Sequence, residues 1–172
     1  MCRVDPRRCN PGAEERPNLL SAAQVRWYPA LAMSERVVAS PHVQKLADYF
    51  PGRSDVAFAF LYGSHARGTT TRLSDVDVAV YFTPLEGSLD YQSEAEFPGE
   101  KQIWRDLEDR LHAEVELLVL NRASPNIAAS ALRGVPLVIR DWGLYMDFML
   151  HATAEAEEYR QSMMDDFLRE RK

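Results

Sequence analysis

Asp75 and Asp77, two aspartates separated by one residue, are the pair whose spacing most directly suggests chemistry in this sequence. They belong to the segment "SDVDVAVYF", where they alternate with valines in a pattern that predicts a β-strand. Residues i and i+2 of a strand point to the same side, so the two carboxylates are expected to lie close together and to repel each other. Mg²⁺ would remove that cost, because it prefers hard oxygen ligands together with phosphate and water. We therefore predict a magnesium site at this pair.

A glycine and a serine precede the aspartates, at the end of the apolar run "DVAFAFLYGS". Gly63 allows the backbone to approach a ligand closely, and the free N–H groups of a helix that begins there favour an anion. Ser64 can add a hydroxyl, and Arg67 a charged fork, toward phosphate oxygens. Ser74 is expected to brace the start of the aspartate strand, and His65 to face solvent. The two segments together predict a site for a nucleoside triphosphate and its metal.

A third carboxylate of such a site is expected in the segment "EVELLVLN". Glu114 and Glu116 fall on the same face of the strand that this segment predicts. Glu116 is the better candidate because it lies within the apolar run, where an unpaired acid has no structural purpose. It would accept the proton of an attacking hydroxyl or share a second metal ion.

Helices and strands must alternate along the chain to position these residues. Strands are predicted at 55–63, 75–82 and 114–121, and a short edge strand at 136–140. Helices are predicted from Ser40 to Phe50, around 103–111, at 124–134, and from Leu144 to about Arg171. This order predicts an α/β (α+β) fold with a small mixed β-sheet, flanking helices and a long C-terminal helix.

Size and composition restrict the class of protein. A chain of 172 residues fits one domain, and a net charge of −6 with a pI near 5.3 argues against direct binding to nucleic acid. Cys2 and Cys9 match no zinc or disulfide pattern, which favours a reducing cytoplasm. No apolar run is long enough for a membrane span, and no secretory signal is recognisable.

The first 33 residues differ from the rest because they carry four prolines and no sustained periodicity. We predict a flexible N-terminal extension, with Met33 as an alternative start site, followed by a single domain over residues 34–172. The other interpretation is a native tail that docks on the domain through Trp27 and Tyr28.

The segment "GSHARG" followed by "SDVDVAV" resembles the signature of the polymerase-β-type nucleotidyltransferase superfamily. More narrowly, it is similar to the minimal nucleotidyltransferases, the MNT antitoxins encoded beside HEPN-domain toxins. The segments "VELLVLN" and "LRGVPLVIRD" resemble later parts of that family, so that the similarity covers about residues 40–172. One position departs from the family, whose third acid is usually Asp, whereas this sequence has Glu116.

The resemblance implies transfer of AMP from ATP, with two Mg²⁺ ions, to a tyrosine hydroxyl of a cognate HEPN toxin in a type VII-like toxin–antitoxin system. Gly63 and Ser64 would hold the triphosphate, and Asp75, Asp77 and Glu116 would serve the metals. One alternative is an adenylyltransferase of similar core that acts on a small molecule, as aminoglycoside adenylyltransferases do. Those enzymes generally carry an additional substrate-binding domain, for which this chain leaves little room. The other alternative is an antitoxin that binds its toxin without catalysis.

Overall fold

A computed structural model describes residues 41–71, 74–84, 89–93 and 95–169. The predicted N-terminal extension and the helix start at Ser40 lie outside these ranges. Within them the helices are α1 (Pro41–Tyr49), α2 (Gly63–Arg67), α3 (Gly99–Leu111), α4 (Pro125–Ala131) and α5 (Trp142–Arg169), and the strands are β1 (Val56–Leu61), β2 (Val76–Phe82), β3 (Val115–Val119) and β4 (Val135–Ile139). Two short 3₁₀ turns follow α1 and β3, at Phe50–Gly52 and Leu120–Arg122.

The four strands form one mixed sheet in the order β3-β2-β1-β4. Strand β1 is antiparallel to both β2 and β4, whereas β2 and β3 are parallel. The predicted α/β fold with a small mixed sheet is therefore confirmed. Strand β1 is buried along its whole length, as its unbroken apolar run predicts. Strand β4 is the predicted edge strand, yet it is buried as well.

Helices cover both faces of the sheet. Helices α1 and α3 pack on one face through residues such as Val43, Leu46, Ile103 and Leu107. Helices α4 and α5 pack on the other face through residues such as Ala128, Tyr145, Phe148 and Ala152. Along β2 the valines belong to the first face, while Ala79 and Tyr81 belong to the second. Because side chains alternate between the two faces along β2, Asp77 lies on the same face as Ala79 and Tyr81. Helix α5 covers a neighbouring part of that face.

Helix α5 is the predicted C-terminal helix; it begins at Trp142, two residues before the predicted start, and its 28 described residues are about 42 Å long. Its buried residues are Tyr145, Phe148 and Ala152, all in its first half. In the described ranges, no helix is both long and apolar enough to cross a membrane.

Asn121 is a fully buried polar side chain that joins the turn after β3 to the end of β2. Its Oδ1 accepts a hydrogen bond from Phe82 N–H at 2.8 Å, and its Nδ2 donates to Phe82 O at 3.0 Å. We predict that Asn121→Leu lowers the free energy of unfolding by about 3 kcal/mol, because it leaves both Phe82 backbone groups buried without partners. Urea unfolding measures the change. Asn126→Leu, at an exposed position of α4, is the control, and an equal loss there would contradict the prediction.

Tyr81 makes the fold sensitive to alkaline pH. Its buried hydroxyl donates to Asp90 O at 2.7 Å and accepts from Asp90 N–H at 2.8 Å. Burial raises its pKa to about 12, against about 10 in the unfolded chain. The folded state therefore binds this proton more tightly than the unfolded chain does. The resulting contribution to the free energy of unfolding is fully present below about pH 10 and is lost as the pH rises from about 10 to about 12.

We expect the urea midpoint of unfolding to fall as the pH rises from about 10 to about 12. It should fall less in Tyr81→Phe than in the parent protein, when each protein is compared with its own midpoint at pH 8. Burial raises the pKa of Tyr49 and Tyr62 to about 12 as well, so the fall should shrink rather than vanish. Tyr159→Phe, at an exposed position, is the control and should keep the full fall. An undiminished fall in Tyr81→Phe would show that Tyr81 does not contribute.

Candidate functional site

The predicted site residues lie at one end of the sheet, where β1 ends and β2 and β3 begin. Tyr62 N–H donates to Asp77 O at 2.9 Å, which brings the turn after β1 beside the start of β2. The parallel register of β2 and β3 places Asp77 level with Glu116. Neighbouring strands are about 4.8 Å apart, so these two side chains leave the sheet from adjacent positions on the same face. Asp75 directly precedes β2, which begins at Val76 and not at the predicted residue 75.

The carboxylate of Asp77 lies directly against Gly63. The φ of Gly63, 64°, lies in the left-handed region, where glycine is favoured. A Cβ at this position would lie 2.6 Å from Asp77 Cγ and closer still to Oδ2. The missing side chain therefore allows the start of α2 and the carboxylate of Asp77 to come into direct contact.

Helix α2 begins at Gly63, which confirms the helix start predicted after β1. The first N–H groups of a helix have no acceptor within it and are available to an anion. Ser64 is half-buried and Arg67 is exposed. Within the described ranges, no carboxylate forms an ion pair with Arg67. Phosphate binding by Gly63, Ser64 and Arg67 remains a prediction.

The three predicted metal ligands differ in exposure. Asp77 is half-buried, whereas Asp75 and Glu116 are exposed. Glu116 lies within the apolar run but is exposed, because β3 is an edge strand in which Val115 and Val119 are buried and Leu117 and Leu118 are partly buried. What supports Glu116 is its register with Asp77.

The positions of these carboxylates determine how Mg²⁺ could be bound. No three His, Cys, Asp or Glu side chains of the described residues come close enough to hold an ion by themselves, so Asp75, Asp77 and Glu116 are not gathered into one ligand group. Mg²⁺ commonly uses one or two carboxylates and completes its shell with water and substrate phosphate. Asp75 and Asp77, next to the start of α2, fit that mode of binding. As far as the structure describes the chain, neither aspartate is neutralised by a Lys or Arg side chain.

Tyr62 is a site residue that the sequence analysis missed. Its phenol is half-buried, and its pKa is raised to about 12. Burial is the largest cause, and the negative charges of Glu116 and Asp77 contribute less. At neutral pH the hydroxyl is therefore a protonated donor within the field of both carboxylates. The available signal was its position directly before Gly63, but the apolar run around it indicated only a strand.

His65 and Ser74 connect α2 to the start of β2. His65 is half-buried, with its Nε2 3.3 Å from Ser74 O and its ring centroid 5.3 Å from that of His42, so the expectation that it faces solvent is wrong. Ser74 Oγ accepts Thr71 N–H at 2.8 Å, which confirms its bracing role. The pKa of His42 is lowered mainly by burial and to a smaller extent by the charges of His65 and Lys45.

Comparison with protein families gives a match to the family model described as "Polymerase beta, Nucleotidyltransferase" over residues 44–142. The match includes more than half of the chain and all of the predicted site residues. A search of curated proteins with this sequence found no match.

Solved toxin–antitoxin complexes have a similar fold. A toxin–antitoxin structure with AMP-PNP matches with a TM-score of 0.55 at 19% identity, covering 73% of this chain and 98% of the other. An MntA-HpeT complex with two Asp-to-Glu substitutions matches with a TM-score of 0.56 at 18% identity, covering 73% and 98%. A tri-AMPylated HEPN toxin of Shewanella oneidensis in complex with MNT antitoxin matches with a TM-score of 0.51 at 16% identity, covering 73% and 98%. At these identities the likeness shows a common fold.

Proposed function

Since this chain belongs to the polymerase beta nucleotidyltransferase family, we propose that it transfers AMP from ATP, with Mg²⁺, to a tyrosine hydroxyl of a cognate HEPN toxin. It would then act as the antitoxin of that pair. The observation that carries the proposal is the parallel register that sets Asp77 level with Glu116, directly beside the close contact of Asp77 with Gly63. The similar fold of a complex that contains a tri-AMPylated HEPN toxin supports this choice of acceptor.

Each site residue has a defined part in this reaction. The N–H groups at the start of α2, with Ser64 and Arg67, bind the triphosphate, while Asp75 and Asp77 hold the cation. Bound Mg²⁺ supplies charge neutralisation and polarisation of the phosphate. The acceptor oxygen attacks the α-phosphorus, the bond to pyrophosphate breaks, and Glu116 takes the hydroxyl proton. Tyr62, a protonated donor on which the charges of Glu116 and Asp77 act, orients the substrate by hydrogen bonding.

We predict that the purified protein with ATP and Mg²⁺ raises the mass of its cognate HEPN toxin by one or more AMP units. Intact-mass spectrometry detects the product, and peptide mapping should locate it on tyrosine. Omission of Mg²⁺ is the control and should leave the toxin mass unchanged. An unmodified toxin whose toxicity is nevertheless suppressed would replace the proposal by inhibition through binding alone.

A small-molecule acceptor is the competing enzymatic function. The matched part of this chain covers 98% of the chain aligned in the toxin–antitoxin structure with AMP-PNP, a correspondence that favours the antitoxin function. Incubation with labelled ATP and aminoglycosides, without toxin, separates the two functions. Labelled aminoglycoside with no labelled toxin would overturn the proposed acceptor while leaving AMP transfer intact.

A further inference from the structure

The C-terminal half of α5 continues beyond the part of the helix that packs on the sheet. Up to Ala152 the helix is anchored by Tyr145, Phe148 and Ala152, with exposures of 9% or less. From residue 157 to the last described residue, 169, every side chain is exposed. At 1.5 Å per residue, those 13 residues form a projection of about 20 Å. A projecting helix with no packed face has little stability in water of its own.

The apolar stripe that anchors α5 also continues into the projection. Ala156, Tyr159 and Met163 follow Ala152 at spacings of four, three and four residues, so they lie on the same face of the helix as the buried anchors. We call these three residues the tail stripe. Tyr159 is 55% exposed and Met163 is 56% exposed. Ala156 is half-buried, whereas Tyr159 and Met163 remain uncovered within the described ranges although they continue a packed interface.

The charges around the tail stripe restrict what can cover it. Residues 157–169 contain four acids and two arginines. Both arginines are already paired within the helix, Arg160 with Glu157 at 2.9 Å and Arg169 with Asp166 at 3.7 Å. The surplus charge of the projection is therefore negative, and it favours an occupant that is apolar and basic. A second copy of the same helix would bring two negative segments together.

This chain contains a segment with those properties before α1. We propose that residues 16–36 dock on the tail stripe. They include three arginines and one glutamate, together with Leu19, Leu20, Val25, Trp27, Tyr28 and Leu31. Residues 37–40 join the segment to α1. At up to about 3.3 Å per residue, the 13 positions from Tyr28 to Pro41 span up to about 43 Å, which is enough to cross a domain of this size. Attachment to the same chain also raises its effective concentration above that of a separate partner.

Hydrogen exchange followed by mass spectrometry on the full chain tests the contact. We expect amides within 16–36 to exchange about tenfold slower than in an unstructured peptide of the same sequence. Met163→Glu, which places a charge in the tail stripe, should remove this protection. Gln161→Glu introduces the same charge on the opposite side of the helix and should preserve it. Unchanged protection of β1 and β2 in both variants shows that the domain remains folded.

Three results would overturn the proposal, and none depends on transferase activity. The first is a parent protein in which residues 16–36 exchange as fast as the free peptide. The second is light scattering that shows a dimer which Met163→Glu converts to a monomer, since a second copy would then occupy the tail stripe. The third is protection of 16–36 that survives Met163→Glu.

Discussion

Replacement of both Asp75 and Asp77 by asparagine is expected to lower the rate of AMP transfer by at least about a hundredfold while leaving the protein folded. Asparagine retains the shape of the side chain but removes the charge that holds a divalent cation beside the triphosphate. The rate is measured as labelled AMP incorporated into the toxin at saturating ATP and Mg²⁺. Stability should be unchanged or slightly higher, because the substitution relieves repulsion between two neighbouring carboxylates.

Glu108→Gln combined with Asp109→Asn is the matched control for the aspartate pair. It changes the net charge by the same amount on helix α3, which packs on the face of the sheet opposite to Asp77, and should leave the transfer rate unchanged. A binding measurement adds a second readout, because a non-hydrolysable ATP analogue with Mg²⁺ at 100 times its Kd should stabilise the parent by about 2.7 kcal/mol. The double variant should lose this gain. Full transfer by the double variant would exclude these aspartates as the metal site.

The sequence predicts the elements of this fold well because their signals are local. The unbroken apolar run before Gly63 indicates a strand buried on both faces, and β1 is buried throughout. Alternation around Asp77 indicates a strand with one polar position, and β2 has that pattern. A glycine after an apolar strand also predicts the turn into α2. Each of these features depends on fewer than ten consecutive residues.

The detailed environment of the site depends on strand order, which no local pattern contains. Glu116 is level with Asp77 only because β2 and β3 are adjacent and parallel, and it is exposed because β3 lies at the edge of the sheet. The charges of Glu116 and Asp77 both raise the pKa of Tyr62 because that register brings the two carboxylates together. The contact of His65 with Ser74 closes a loop whose ends are nine residues apart. The sequence could therefore propose the acids but not their surroundings.

Helix α5 shows a different limit of sequence patterns. Its apolar spacing predicts a packed helix, and the first half is packed. The same spacing continues through Tyr159 and Met163, which are exposed. Periodicity states which face of a helix seeks burial, but not which part of the chain, or which partner, covers it.

Gly63→Ala is expected to reduce both the transfer rate and the stability. Its new Cβ would lie 2.6 Å from Asp77 Cγ, so either the carboxylate or the turn must move. A shift of about 1 Å in a group that positions the substrate can lower the rate by about a hundredfold. The left-handed backbone, with φ of 64°, adds a cost of about 1–2 kcal/mol for a residue with a side chain. Transfer assays and urea unfolding measure the two effects.

Gly52→Ala is the matched control, since a Cβ at Gly52 would have no heavy atom within 4 Å. This substitution adds the same methyl group outside the site, so it should change neither the transfer rate nor the stability appreciably. The two effects of Gly63→Ala can also be separated, because a purely conformational penalty would lower stability without changing the affinity for Mg²⁺ and the ATP analogue. We expect that affinity to fall, since the displaced group is a proposed ligand. Normal affinity and rate in a destabilised Gly63→Ala protein would mean that the contact between Gly63 and Asp77 shapes the fold but does not position the site.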